Sequence, residues 1–126
     1  MEARNSTLIQ DASQITPDQI RKTAALFSAL GDETRLQIML FLLAEPHTVN
    51  EIADHIGITL SAISHQLKKL YERDLVRFVR KGPMKYFQIA DTHIRHLMND
   101  GLVHATNVEL CQADVECNLK DKEGDF

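Results

Sequence analysis

Cysteine is scarce: Cys111 and Cys117 are the only two, too few for a disulfide scaffold. Long apolar runs are missing as well. The longest, residues 38–44, is far too short to cross a bilayer, so no membrane role is expected. The opening MEARNSTLIQ has no basic start leading into an apolar stretch, so nothing reads as a signal peptide and the expected address is the cytoplasm. Neither a Gly-rich phosphate loop nor a nucleophile motif is present, so an enzyme is not expected. What remains is 126 residues and 14.3 kDa, 44% hydrophobic and 25% charged. Those values fit one soluble globular domain and exclude a wholly disordered or collagen-like chain.

The net charge of −4 is unevenly spread. Residues 1–58 carry −4 and residues 91–126 carry −5. Between them, residues 59–90 hold seven Lys and Arg against Glu72 and Asp74, a local +5. Such a basic segment attracts a polyanion whatever the sign of the total.

Hydrophobic spacing predicts five helices and a hairpin. TPDQ at residues 16–19 is an N-cap with Pro at the first helical position and Gln three residues after the cap. Ile20, Ala24, Phe27 and Leu30 follow at helical spacing, widened by Leu26, and Gly31 ends the helix. Asp32 caps a second helix over 33–45, apolar on most sides and therefore central, which Pro46 stops. A short helix over 49–55 turns Ile52, Ala53 and Ile56 inward, and residues 57–59 turn tightly into a helix from 60 or 61 to 72. That pair is a helix-turn-helix pattern. Strands are predicted over 75–80 and 85–89, with a loop at 81–84. A last helix is predicted from Asp91 to about Leu110, with Ile94, Leu97, Met98, Gly101, Ala105 and Val108 inward.

A hairpin directly after a helix-turn-helix makes a winged helix-turn-helix, mainly α. The expected organisation is a flexible arm over 1–15, a DNA-binding and dimerisation domain over 16–117 and a disordered tail over 118–126. The first and last helices carry more apolar surface than a small core needs, which predicts a homodimer formed through them.

Ser61, Ser64, His65, Lys68 and Lys69 lie opposite Ile63, Leu67 and Leu70 on the second helix of the pair. Short hydroxyls at a helix start suit base edges in a major groove, and the lysines suit phosphates. Arg77, Arg80, Lys81 and Lys85 place further charge on the hairpin. Double-stranded operator DNA is therefore the expected partner. The competing reading is a winged helix serving only protein contacts.

The stretch ALFSALGDETRLQIMLFLL, followed by VNEIADHIGITLSAISHQLKKLYERDLVRFVRKGPMKYFQI, resembles the ArsR/SmtB family of bacterial winged-helix repressors over about residues 20–110. GDETR together with the SAISHQLKKL run carries the resemblance. It implies a homodimer on an inverted-repeat operator that represses metal-efflux or detoxification genes, with Ser61, Ser64 and His65 in the recognition helix. Leu60 departs from the pattern, standing where many relatives carry a polar residue.

The last predicted helix carries Asp91, His93 and His104. Eleven residues at about 100° each fall about 20° from three whole turns, so both histidines share one face. They stand roughly 16 Å apart along the axis, while zinc–nitrogen bonds are only about 2.0–2.1 Å. One chain cannot close that gap. An antiparallel pair of these helices brings Asp91 and His93 of one subunit beside His104 of the other, twice per dimer. Two imidazoles and a carboxylate suit Zn2+ or Co2+, and Ni2+ at higher coordination. The resemblance implies an Asp-x-His at the start of this helix and His-x-x-His or His-x-x-Glu near its end. Asn107 occupies that final position, a poor ligand. Water, Asn107 or a sulfur such as Cys111 is left to complete the shell, and a thiolate would favour Cd2+. Relatives with cysteine sites before the recognition helix have no match, because residues 49–57 contain no Cys.

The expected function is a metal-responsive repressor, with zinc the expected effector, that binds operator DNA as the apo dimer and leaves it on metal binding. By resemblance, His104 would bond a backbone carbonyl near Asp74. The alternative signal is an oxidant or reactive sulfur acting on Cys111 and Cys117. His47, His55, His96 and Asp100 are read as loop or surface residues.

Overall fold

Residues 11–107 are described by a computed structural model; residues 1–10 and 108–126, with Val108, Cys111, Cys117 and the expected tail, lie outside them. The order is a short 3-10 turn (Ala12–Gln14), α1 (Pro17–Leu30), α2 (Glu33–Leu42), α3 (Val49–Ile56), α4 (Leu60–Glu72), β1 (Val76–Lys81), β2 (Met84–Ile89) and α5 (Thr92–Thr106). Mainly helical, with one antiparallel hairpin behind a helix-turn-helix, this is the winged architecture expected.

Local chemistry sets the helix starts. Thr16 accepts from the Gln19 N–H at 3.1 Å and Gln19 accepts from the Thr16 N–H at 2.9 Å, closing a capping box ahead of Pro17. Asp32 accepts from the Arg35 N–H at 3.0 Å. The Arg35 guanidinium then donates to the Ala29 carbonyl at 2.9 Å, fixing the corner between α1 and α2.

The core is built around α2. Ile38, Met39 and Leu42 pack with Ile52 of α3, with Ile63, Leu67 and Leu70 of α4 and with Leu75, all essentially inaccessible. Each such side chain contributes about 1.5–3 kcal/mol on burial, so the helix-turn-helix is held from beneath. Ile20 and Phe27 of α1 stay outside this core, 58% and 54% exposed.

Several boundaries differ from the sequence expectation. α2 ends at Leu42, not near residue 45: Leu43 tightens into an i→i+3 bond to Leu40, and Pro46 disfavours helix in the residue before it. The Arg95 guanidinium donates to the Leu43 carbonyl and so ties α5 to this end. The strands run through Lys81 and Met84, leaving Gly82 and Pro83 as the whole loop. Gly82 takes φ 64, which suits the first central position of a tight hairpin turn. Residues 11–15 are not wholly loose, since Asp11 accepts from the Ser13 N–H and caps the 3-10 turn.

α5 departs most. Ile94 and Met98 are buried and Leu97 half-buried, but Gly101 and Ala105 are exposed. Only its first two turns lie on the core, and the later turns run past it. Asn99, not picked out in the sequence, is fully buried. The helix stops at Thr106 rather than near residue 110, with Asn107 in a left-handed cap at φ 66. Asn tolerates that conformation, and its N–H satisfies the Val103 carbonyl.

Candidate DNA-reading surface and metal-ligand positions

The helix-turn-helix is shaped by three caps. Thr48 accepts from the Glu51 N–H at 3.2 Å, and Glu51 accepts from the Thr48 N–H at 3.1 Å, starting α3. Gly57 ends α3 at φ 87, where a side chain would be strained. Thr59 accepts from the Ala62 N–H at 3.1 Å and starts α4. Ile63, Leu67 and Leu70 then face the core, leaving Ser61, Ser64, His65, Lys68 and Lys69 exposed together. No acidic residue occupies the first turn of α4.

His47 lies in the loop between α2 and α3, as its reading as a loop or surface residue expected, but its side chain is half-buried and structural. Its ring stacks on Phe41 with centroids 3.9 Å apart, and Phe41 meets His55 at the same separation. The His47 backbone pairs with Phe87 of β2 through bonds of 3.0 and 2.8 Å. His47 Nδ1 lies 3.0 Å from Glu51 Oε1. The Thr48 N–H chiefly, and His47 secondarily, hold the Glu51 carboxyl below the usual carboxylate range. This residue thus stitches the loop before α3 to the wing. The only trace in sequence is the i,i+4 spacing of His47 and Glu51, too common to single it out.

The wing carries its charge in an unfavourable register. Arg80 pairs directly opposite Lys85, and like charges so placed are destabilising. A bound polyanion relieves that repulsion. Arg77, Arg80 and Lys81 are exposed; Lys85 is half-buried, its ammonium 4.5 Å from the centre of the Phe78 ring. Between α4, the wing and the start of α3 runs a groove of about 620 Å³. Leu67, Tyr71 and Phe87 line it, with Ser64, Lys68 and Lys85 supplying polar groups. The nine residues expected to meet DNA therefore fall on one reading helix and the adjoining wing.

The metal candidates occupy the two ends of α5. Asp91 is its N-cap, accepting from the Ile94 N–H at 2.9 Å. His93 Nδ1 lies 3.8 Å from the same Asp91 oxygen, with both side chains more than half exposed. His104 is exposed in the last turn and makes no hydrogen bond to the Asp74 backbone. Among the described residues, no three His, Cys, Asp or Glu side chains come together closely enough to hold an ion. The donor chemistry fits: two accessible imidazoles and a carboxylate suit a borderline cation such as zinc. Asn107 sits beyond the helix end, and Cys111 and Cys117 lie outside the described residues.

Comparison with known proteins settles the class. Residues 32–78 match the family described as bacterial regulatory protein, arsR family. The transcriptional repressor SmtB homolog of Synechocystis sp. is 33% identical over 101 residues, 76% of either chain. The chain belongs to the ArsR/SmtB family. A homodimeric winged helix-turn-helix DNA-binding domain from Mycobacterium bovis, described as a possible ArsR-family transcriptional regulator, superposes with a TM-score of 0.68 at 28% identity. That match covers 76% of this chain and 87% of the other. The AntR antimony-specific transcriptional repressor gives 0.68 at 26% identity, covering 81% and 91%. This ArsR/SmtB member is accordingly a DNA-binding transcriptional regulator and not an enzyme. Among its described residues no helix is long and apolar enough to cross a membrane.

Proposed function

We propose that the protein is a metal-responsive transcriptional repressor, acting in the cytoplasm as a homodimer whose apo form holds double-stranded operator DNA and whose zinc-bound form releases it. The observation that carries this reading is the placement of Asp91 and His93 at the start of α5 and of exposed His104 at its end. Antiparallel α5 helices set the Asp91–His93 end of one subunit beside His104 of the partner subunit. Zinc would supply a fixed cross-link between the two chains at that seam. Cobalt, nickel or cadmium could occupy the same donors, with Asn107, Cys111 or water as a further ligand.

Dimerisation is supported by the homodimeric M. bovis relative and by the exposed Ile20 and Phe27 of α1. Gly101 and Ala105, exposed on the outer turns of α5, suit a close helix–helix approach. A metal or metalloid signal is supported by the antimony specificity named for the AntR relative. Coupling to DNA has a short physical route. Ile94 and Met98 anchor α5 in the core beside β2, and β2 is a strand of the wing. The DNA-facing set is Ser61, Ser64 and His65 for bases, with Lys68, Lys69, Arg77, Arg80, Lys81 and Lys85 for phosphates.

Zinc, cobalt, nickel and cadmium titrated into a preformed protein–DNA complex, read by fluorescence anisotropy, test the proposal. Zinc is expected to lower DNA affinity by about 5- to 150-fold, the usual range of allosteric coupling. The cobalt sample is expected to show the visible bands of a four-coordinate ion. DNA affinity indifferent to all four ions would overturn it.

A further inference from the structure

We infer that Leu60 reads the C5-methyl group of a thymine in each operator half-site. The inference rests on the DNA-reading surface proposed above and adds one specificity-determining residue to it. Leu60 is the first residue of α4 and 50% exposed, and Ile58 just before it is 38% exposed. Thr59 between them is committed to the Ala62 N–H, which fixes the first turn. At about 100° per residue, Leu60 lies about 40° around the helix from Ser64 and 100° from Ser61. It stands between the exposed hydroxyls and the buried stripe, about 20° around the helix from Leu67, yet half of it is open to solvent at the helix tip.

An apolar side chain at this tip finds little to bury in water. The major groove offers it one apolar group among the base edges, the thymine methyl. Contact there removes both surfaces from water, whereas a cytosine edge presents an amine that leucine cannot accept from. The first turn of α4 carries no acidic residue to repel the duplex. Ser61, Ser64 and His65 supply polar readout, and Leu60 supplies the apolar letter.

The test uses duplexes selected from a random pool by the full-length protein. Each thymine is replaced in turn by deoxyuridine, which removes only the methyl. Wild-type protein is expected to bind about fourfold more weakly at one thymine per half-site, the effect of one buried methyl group. Leu60→Ala should erase the penalty at that thymine alone, while Leu60→Met keeps it. The two variants and wild type should unfold at the same temperature. If Leu60→Ala retains every penalty, if Ile58→Ala erases it instead, or if no thymine is sensitive, the inference fails while DNA binding stands. If no duplex can be selected, the DNA-reading surface fails and this inference with it.

Discussion

His104→Ala is expected to bind operator DNA within about twofold of wild type and to lose its response to zinc. The side chain is exposed in the last turn of α5 and makes no hydrogen bond among the described residues. Exposed substitutions away from special features usually change stability by less than about 0.5 kcal/mol, so the fold and the reading helix should be unaffected. The metal site is another matter. Loss of a group that merely orients a ligand costs about 10–100-fold in metal affinity, and loss of the ligand itself should cost more. The fall in DNA affinity driven by zinc should therefore shrink from about 5- to 150-fold to near unity. Anisotropy titrations of both proteins in the same zinc series check this. Release of DNA at the wild-type zinc level would show that His104 holds no ion.

The wing is expected to give the second large effect. In the double variant Arg80→Ala with Lys81→Ala, a dimer loses four cations from its DNA face. If each meets a phosphate, the slope of log affinity against log salt should fall by about 3.6. Affinity near 0.1 M salt should fall by the order of a thousandfold, uniformly across sequences, and hardly at all near 1 M. Thermal stability should hold or rise slightly, because Arg80 faces Lys85 across the hairpin. An unchanged salt slope would place the wing away from the backbone and leave its charge without a purpose.

How much of this was legible depended on whether the signal was local. The Thr16–Gln19 capping box, the Asp32 cap, the Gly57 turn and the Ile63, Leu67 and Leu70 stripe are short-range chemistry, and all appear as read. The winged architecture followed from their order. The end of α2 was missed because apolar spacing continues through Leu43, while the backbone answers to Pro46 and to Arg95 from fifty-two residues away. His47 was read as a loop or surface residue and lies in the loop, but its burial was not legible for a similar reason: it depends on Phe41, Glu51 and Phe87 meeting in space. The inward face of α5 was overextended, since Gly101 and Ala105 share a stripe whose first part alone reaches this chain's core. Spacing showed that His93 and His104 share a face. It could not show that Asn107 has already left the helix in a left-handed cap.

The central claim is that an ion is held by the start of α5 in one subunit and the end of α5 in the other. Subunit mixing tests it most directly. An Asp91→Ala, His93→Ala protomer and a His104→Ala protomer are each expected to form dimers without a cobalt site. In the mixed dimer, Asp91 and His93 of one subunit meet His104 of the partner subunit at one seam position, and the other position has neither. Cobalt absorption should therefore return at one ion per mixed dimer. A mixed dimer as silent as its parents would contradict the account.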